Sequence, residues 1–113
     1  MHEYGVTEEM LRLVLREMNA AGASRATKVS LILGDISGIV EESVRFYWDF
    51  VSRDTPAEGA LLDFARVAPQ ARCGACGLVY APESRDQRCP GCGEALARLL
   101  RGDEFRVESI DVD

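Results

Sequence analysis

Two short cysteine segments decide the fold of this chain: Cys73-Gly74-Ala75-Cys76-Gly77 and Cys89-Pro90-Gly91-Cys92-Gly93. Each is a C-x-x-C-G knuckle, whose glycine can adopt positive φ and let backbone N–H groups point at sulfur. Together the knuckles offer four thiolates, the number that tetrahedral zinc takes at Zn–S distances of ~2.3 Å. The pattern predicts one zinc ion bound by Cys73, Cys76, Cys89 and Cys92. Since four cysteines close the shell against substrate, this zinc is predicted to be structural.

Two disulfides, a redox dithiol and an iron centre are the alternative uses of these cysteines. Disulfides are rare in cytosolic chains, and a redox C-x-x-C would normally stand alone at a helix start rather than in duplicate. Iron is the stronger rival, because Leu78-Val79-Tyr80 and the order Cys-Pro-x-Cys-Gly are similar to rubredoxin. Twelve residues, 77 to 88, separate the knuckles, and this short spacing disfavours iron. A red, absorbing protein would contradict the zinc assignment.

The composition changes around the knuckles. Residues 69 to 97 hold all four cysteines, three of the four prolines and few large apolar residues. Such a segment cannot build a hydrophobic core of its own, so a metal must supply its folding energy. We therefore predict a four-cysteine zinc-ribbon domain over residues 69–101. It is inserted into a second domain made of residues 1–68 and 102–113.

The sequence before the ribbon predicts strands and helices in alternation. Residues 1–6 suit an edge strand, and Thr7 suits the N-cap of a first helix that ends near Gly22. Apolar residues recur at helical spacing in that helix: Met10, Leu11, Val14, Leu15 and Met18. The pattern then predicts a strand from Val29 to Gly34 and a helix over 41–52. The apolar face of this second helix comprises Val44, Tyr47, Trp48 and Val51.

Two further strands complete the predicted sheet, over residues 60–67 and 103–112. The alternation of apolar residues in the last strand shifts near Ser109. Phe105 and Val107 stand at odd positions, whereas Ile110 and Val112 stand at even ones. This shift indicates a β-bulge. The predicted fold class is α+β, a small mixed sheet with two helices on one face and an inserted zinc ribbon.

Charge and length narrow the functional classes. The 113-residue chain has a net charge of −6 and a single lysine, Lys28, which argues against nucleic acid as the main partner. It has no apolar run of the ~20 residues that a membrane helix needs, and its start lacks the basic and apolar segments of a signal peptide. We expect a cytoplasmic protein without a membrane partner. With one histidine and no cysteine outside the knuckles, no catalytic constellation is found, and we predict that the chain is not an enzyme.

The single histidine is residue 2. The Met1 α-amino group, the His2 amide nitrogen and the His2 imidazole can close five- and six-membered chelate rings around one ion. Glu3 can add an amide nitrogen or a carboxylate. Nitrogen ligands in a tetragonal arrangement suit Ni(II) or Cu(II) rather than zinc. The alternative is a surface histidine without a function.

Six segments together resemble the HypA/HybF family of nickel metallochaperones for [NiFe]-hydrogenase maturation. They are the two knuckles, Met1–Tyr4, Leu33–Ile39, Ala57–Ala60 and Gly102–Ile110. The resemblance covers essentially the whole chain in the same order. Asp35 and Ile36 stand where family members often have Glu and Leu, which are mild changes.

This resemblance implies a nickel-binding α/β domain with transient Ni(II) at Met1, His2 and Glu3, and structural Zn(II) at the four cysteines. His2 becomes the principal nickel ligand. It implies two partners, a nickel-handling maturation GTPase and the immature [NiFe]-hydrogenase large subunit, and leaves a homodimer open. The alternative is a zinc-ribbon module that binds protein or nucleic acid without transferring nickel. Such a module has no use for the Met-His-Glu start.

Overall fold

The computed structural model describes residues 2–113, which form two helices and two three-stranded sheets. The helices are α1 (Glu3–Ala20) and α2 (Glu41–Val51). In chain order the strands are β1 (Ala26–Gly34), β2 (Leu61–Val67), β3 (Gln70–Cys73), β4 (Val79–Tyr80), β5 (Ala97–Arg101) and β6 (Phe105–Val112). The mixed sheet and the two helices confirm the predicted α+β class.

The chain begins with a helix, so the predicted edge strand over residues 1–6 is wrong for the described residues 2–6. Met1 lies outside them. The buried face of α1 extends farther toward the N-terminus than predicted, because Thr7 is buried and continues the spacing of Met10, Val14 and Met18. Thr7 is therefore not the N-cap. Its hydroxyl donates to the carbonyl of Glu3 at 2.6 Å, four residues back in the same helix. The predicted end is confirmed, since α1 stops at Ala20 and Gly22 has φ +68°.

The first sheet has the order β2-β1-β6, with β1 parallel to β2 and antiparallel to β6. Its central strand alternates as predicted: Val29, Leu31 and Leu33 are fully buried. The predicted bulge in the last strand is confirmed. Ser30 pairs with Ser109 and Leu31 with Val107, which leaves Glu108 as the extra residue. The bulge lets Val107 and Ile110 both pack against the core.

The hydrophobic core lies between this sheet and the two helices. Met10, Val14 and Met18 of α1 meet Val44 and Trp48 of α2 there, over the buried side chains of β1. The predicted face of α1 thus lies in the core, as do Val44, Trp48 and the partly buried Val51 of α2. Tyr47 is also partly buried, but its ring packs against Tyr4. No helix within residues 2–113 is long and apolar enough to span a membrane.

The second sheet has the order β4-β3-β5 and falls wholly within residues 70–101. The chain enters it directly after β2 and leaves it just before β6. The turn after β1 is hydrogen-bonded to both of these connecting segments. The Asp35 N–H donates to the Val67 carbonyl and the Ile36 N–H to the Gly102 carbonyl, each at 2.9 Å. Arg85, from the loop between the knuckles, donates to the Ile36 carbonyl at 3.1 Å.

Candidate metal centres

The two cysteine knuckles have the same backbone geometry. In the first, Cys73 ends β3 and the N–H of Gly77 donates to its carbonyl at 2.9 Å. In the second, the N–H of Gly93 donates to the Cys89 carbonyl, also at 2.9 Å. Gly77 and Gly93 have φ +80° and +79°, the conformation predicted for them. Each turn therefore closes by the same bond and presents its two thiols on one side.

Backbone N–H groups also point at sulfur. The N–H of Ala75 donates to Cys73 Sγ at 3.4 Å, and that of Gly91 donates to Cys89 Sγ at 3.3 Å. These two sulfurs belong to buried residues, whereas Cys76 and Cys92 are exposed. Each knuckle thus supplies one inner thiol held by the backbone and one outer thiol.

The four sulfurs converge on one point. Their Sγ atoms all lie within 4.8 Å of one another, and the pairs Cys73–Cys92 and Cys76–Cys89 are 3.6 Å apart. A tetrahedron of sulfurs ~2.3 Å from a zinc ion has edges of about 3.8 Å. The predicted set of four cysteines is therefore brought together at a spacing that fits a tetrahedral metal ion.

The proton affinities of the thiols reflect this crowding. Backbone N–H groups of Cys76 and Ala75 lower the pKa of Cys73 to about 6. At Cys92 a hydrogen bond from the backbone N–H of Glu94 acts to lower the pKa of the thiol. Desolvation and the hydrogen bonds with the other three thiols act in the opposite direction, and their larger combined effect raises the pKa of Cys92 to about 12. One thiol ionises easily and another only with difficulty, because anions in close contact repel. A bound divalent cation would relieve that repulsion.

The second predicted site lies at the start of α1. His2 is exposed at the N-cap position, and Glu3 is the first helical residue. The predicted ligand Met1 lies outside the described residues. The first bond of the helix runs from Val6 N–H to the His2 carbonyl, at 3.0 Å. The amide nitrogens of His2 and Glu3 precede that bond and have no acceptor within the helix.

Glu3 makes a contact that the sequence pattern did not predict. One of its carboxylate oxygens accepts from the N–H of Val40 at 3.1 Å, just before α2 begins. This hydrogen bond is the main reason why the pKa of Glu3 is lowered from its ordinary value of 4.5. Thirty-seven residues separate the two partners, and no motif in the sequence joins them. This hydrogen bond links the start of α1 to the residue that precedes α2.

Comparison with known proteins places the chain in a family. A sequence model of the family described as "Hydrogenase/urease nickel incorporation, metallochaperone, hypA" matches residues 1–112. The chain belongs to the HypA family. The hydrogenase maturation factor HypA of Dehalococcoides mccartyi strain 195 is 38% identical over 113 residues, covering 100% of this chain and 95% of that protein. The factor of the same name from Caldanaerobacter subterraneus is also 38% identical, over all of both chains.

Solved structures of HypA proteins share the fold. The solution structure of the Ni metallochaperone HypA from Helicobacter pylori matches with a TM-score of 0.72 and 21% identity, covering 99% of this chain and 97% of that one. A second solution structure of a HypA protein gives 0.73 and 20% identity, covering 99% and 96%. At such identities the likeness shows the fold alone. The HypA family is one of metallochaperones, which confirms the prediction that the chain is not an enzyme.

Proposed function

We propose that this chain binds Ni(II) at its N-terminus and delivers it for maturation of [NiFe]-hydrogenase, with a structural zinc ion in the four-cysteine site. Membership of the HypA family supports nickel incorporation as its role. The nickel-binding unit in this proposal comprises residues 1–68 and 102–113, and the zinc-binding unit residues 69–101. The proposed partners, in the cytoplasm, are a nickel-handling maturation GTPase and the immature hydrogenase large subunit.

One observation carries the proposed nickel site: α1 begins at Glu3. A tetragonal nickel chelate at this terminus uses the Met1 amine, the His2 imidazole and the amide nitrogens of His2 and Glu3, and each amide must lose a proton. In the interior of a helix that loss would break a backbone hydrogen bond. Here both amides precede the first helical bond, so none is broken. The positive end of the helix dipole also favours the resulting anionic nitrogens.

The position of the site suits transfer as well as binding. His2 is exposed, so a partner's ligands can replace its bond to nickel. One carboxylate oxygen of Glu3 already accepts a hydrogen bond from the N–H of Val40. We therefore assign the amide nitrogen of Glu3, rather than that oxygen, to the nickel.

The four-cysteine site supports zinc through its donor set and its spacing. Cys73, Cys76, Cys89 and Cys92 would hold the ion, which supplies a cross-link between the two knuckles and neutralises crowded thiolates. No thiol would then remain free to act as a nucleophile, and the ion would have no coordination position open to a substrate. Four thiolates also suit iron, and metal analysis of the colourless or red protein distinguishes the two.

Substitution of the histidine tests the nickel site. His2→Gln should abolish specific nickel binding in calorimetric titration while native mass spectrometry still finds one zinc ion per chain. An extra Gly-Ser ahead of Met1 should weaken nickel binding as well, because it removes the chelating amine. A zinc-ribbon interaction module that transfers no nickel gives the opposite result, a nickel affinity that neither change alters.

A further inference from the structure

The second sheet has one covered face and one open face. In β3, Ala71 and Cys73 are buried, whereas Arg72 between them is exposed. The loop between the knuckles lies over the covered face, where Pro82 and Gln87 line a cavity of about 180 Å³ together with Ala71. Since successive residues of a strand alternate between the two faces, Arg72 lies on the open one.

Three arginines share this open face. Arg72 stands directly opposite Arg98 of β5, and Val79 of β4 stands opposite Arg72 on its other side. Arg101 pairs with Gln70, which shares the face of Arg72 because it precedes it by two residues. The guanidinium of Arg101 donates to Gln70 Oε1 at 2.9 Å. We call Gln70, Arg72, Val79, Arg98 and Arg101 the arginine face.

Arg72 and Arg98 make an unfavourable pair in the chain alone. Side chains directly opposite on antiparallel strands have Cβ atoms ~4.5–5.5 Å apart, and like charges at that spacing destabilise a sheet. Within residues 2–113 neither guanidinium forms an ion pair with a carboxylate. Real proteins break such a local rule at functional sites and offset the cost elsewhere. The pair therefore points to an anionic ligand.

The thiolates of the cysteine site are not that anion. Arg72 and Cys73 are neighbours in β3, so their side chains lie on opposite faces. Arg98 shares the face of Arg72, because the two stand opposite each other in the sheet. The two guanidinium groups thus lie on the side of the sheet away from Cys73, and an anion that binds them comes from outside the chain.

We propose that the arginine face binds an acidic segment of a partner protein, an extended stretch with carboxylates at alternate positions. A guanidinium binds a carboxylate through two parallel hydrogen bonds. Alternate side chains of an extended segment lie on one side, about 7 Å apart. The same two-residue step along β3 separates the row that contains Arg72 and Arg98 from the row that contains Gln70 and Arg101. Two such carboxylates therefore match the two rows.

Apolar side chains accompany the charges. Leu96 and Leu100 are 58% and 43% exposed and stand two residues before and after Arg98, and Val79 is 38% exposed beside Arg72. Arginine is enriched in protein interfaces, whose buried centre is apolar. The partner segment thus carries apolar residues next to its carboxylates.

Charge favours a short protein segment over nucleic acid. Residues 69–101 hold five arginines and three carboxylates, whereas the rest of the chain holds eight basic and sixteen acidic residues. Charges are screened beyond about 8 Å at physiological ionic strength. A short acidic segment stays on the arginine face, whereas a long polyanion also meets the acidic remainder. The arginine face has no aromatic side chain on which a base could stack. This binding needs no nickel and goes beyond the proposed transfer of that ion.

A labelled eight-residue peptide of alternating glutamate and leucine tests the proposal, by fluorescence polarisation with the full chain as purified. Arg72→Gln with Arg98→Gln should weaken peptide binding by about tenfold or more, because it removes charge-assisted hydrogen bonds. Arg16→Gln with Arg25→Gln is the matched control. It makes the same change of charge at exposed arginines outside the ribbon and should leave the affinity within about twofold. A peptide with glutamine in place of glutamate should not bind.

Two further measurements separate binding from folding. Removal of like charges from opposite positions should raise the melting temperature of the Arg72→Gln, Arg98→Gln variant, and native mass spectrometry should find its metal content unchanged. An NMR titration of the unmodified chain needs no variant. On addition of the peptide the Nε–Hε signals of Arg72, Arg98 and Arg101 should shift, while that of Arg16 should not.

Each result has a distinct meaning. Loss of peptide binding in Arg72→Gln, Arg98→Gln but not in the control variant, with shifts at the arginine face, supports the proposal. Equal affinity of that variant and the unmodified chain overturns it, as does an equal loss in both double variants. An unmodified chain that does not bind the peptide overturns it too. Tighter binding of an eight-nucleotide oligothymidine than of the peptide assigns the face to nucleic acid and likewise overturns it.

Discussion

At the scale of single residues, Glu3 connects the candidate nickel site to the rest of the molecule. Its carboxylate accepts from Val40 N–H, and its carbonyl accepts from the hydroxyl of buried Thr7. The residue next to His2 is therefore held on two sides, by α2 and by its own helix. A chelate at residue 2 is therefore held in place on the side of Glu3.

The Glu3–Val40 contact predicts a pH dependence. The pKa of Glu3 is lowered, so its hydrogen bond stabilises the fold above the ordinary carboxyl range and is lost as pH falls through the lowered pKa, below 4.5. In an NMR titration the Val40 amide proton should shift as the carboxylate is protonated. Glu3→Gln is the matched control, because its amide oxygen can accept the same bond without titrating. A Val40 signal that does not move in the unmodified chain would show that the contact does not form.

At the scale of elements, the sequence predicts what short-range patterns determine. The alternation of Val29, Leu31 and Leu33 and the spacing of the α1 face are periodic signals, and both agree with the structure. The four cysteines are equally local, because each C-x-x-C-G turn orients its own pair of thiols. The N-terminal strand was mispredicted since Thr7 resembles a cap from its neighbours alone. Only its complete burial in the folded chain shows it to be an interior residue.

Two glycines support a second prediction: Gly34 at the end of β1 and Gly5 in α1. A Cβ on Gly34 would collide with the Gly102 carbonyl and lie 2.6 Å from the Asp103 nitrogen, both backbone groups of the connection to β6. Gly34→Ala should therefore destabilise the chain by about 2–3 kcal/mol. At Gly5 in α1 an added Cβ meets nothing within 4 Å. Gly5→Ala should instead stabilise it by about 0.5–1 kcal/mol. Urea unfolding monitored by circular dichroism measures both, and equal effects would contradict the close approach at Gly34.

At the scale of the whole molecule, the two sheets are stabilised by different means. The first sheet has a core of large apolar side chains from β1 and both helices. In the second, the buried side chains are small or sulfur-bearing, among them Ala71, Cys73 and Cys89, while Leu78, Leu96 and Leu100 are exposed. Hydrophobic burial scales with apolar area. We therefore predict that residues 69–101 depend on a bound metal for their stability.

Removal of zinc should consequently unfold one part of the chain and spare the other. After treatment with a zinc chelator at neutral pH, amide exchange should become fast in β3 and β5 but stay slow in β1, whose bonds the apolar core protects. Cys73→Ala should reproduce that pattern without a chelator, because three thiols leave the ion's shell open. Added zinc should restore protection in the unmodified chain only. Exchange that rises equally in β1 and β3 would mean that both sheets unfold as one unit. Slow exchange in β3 after complete loss of the metal would mean that the four cysteines do not hold the fold of this segment together through zinc.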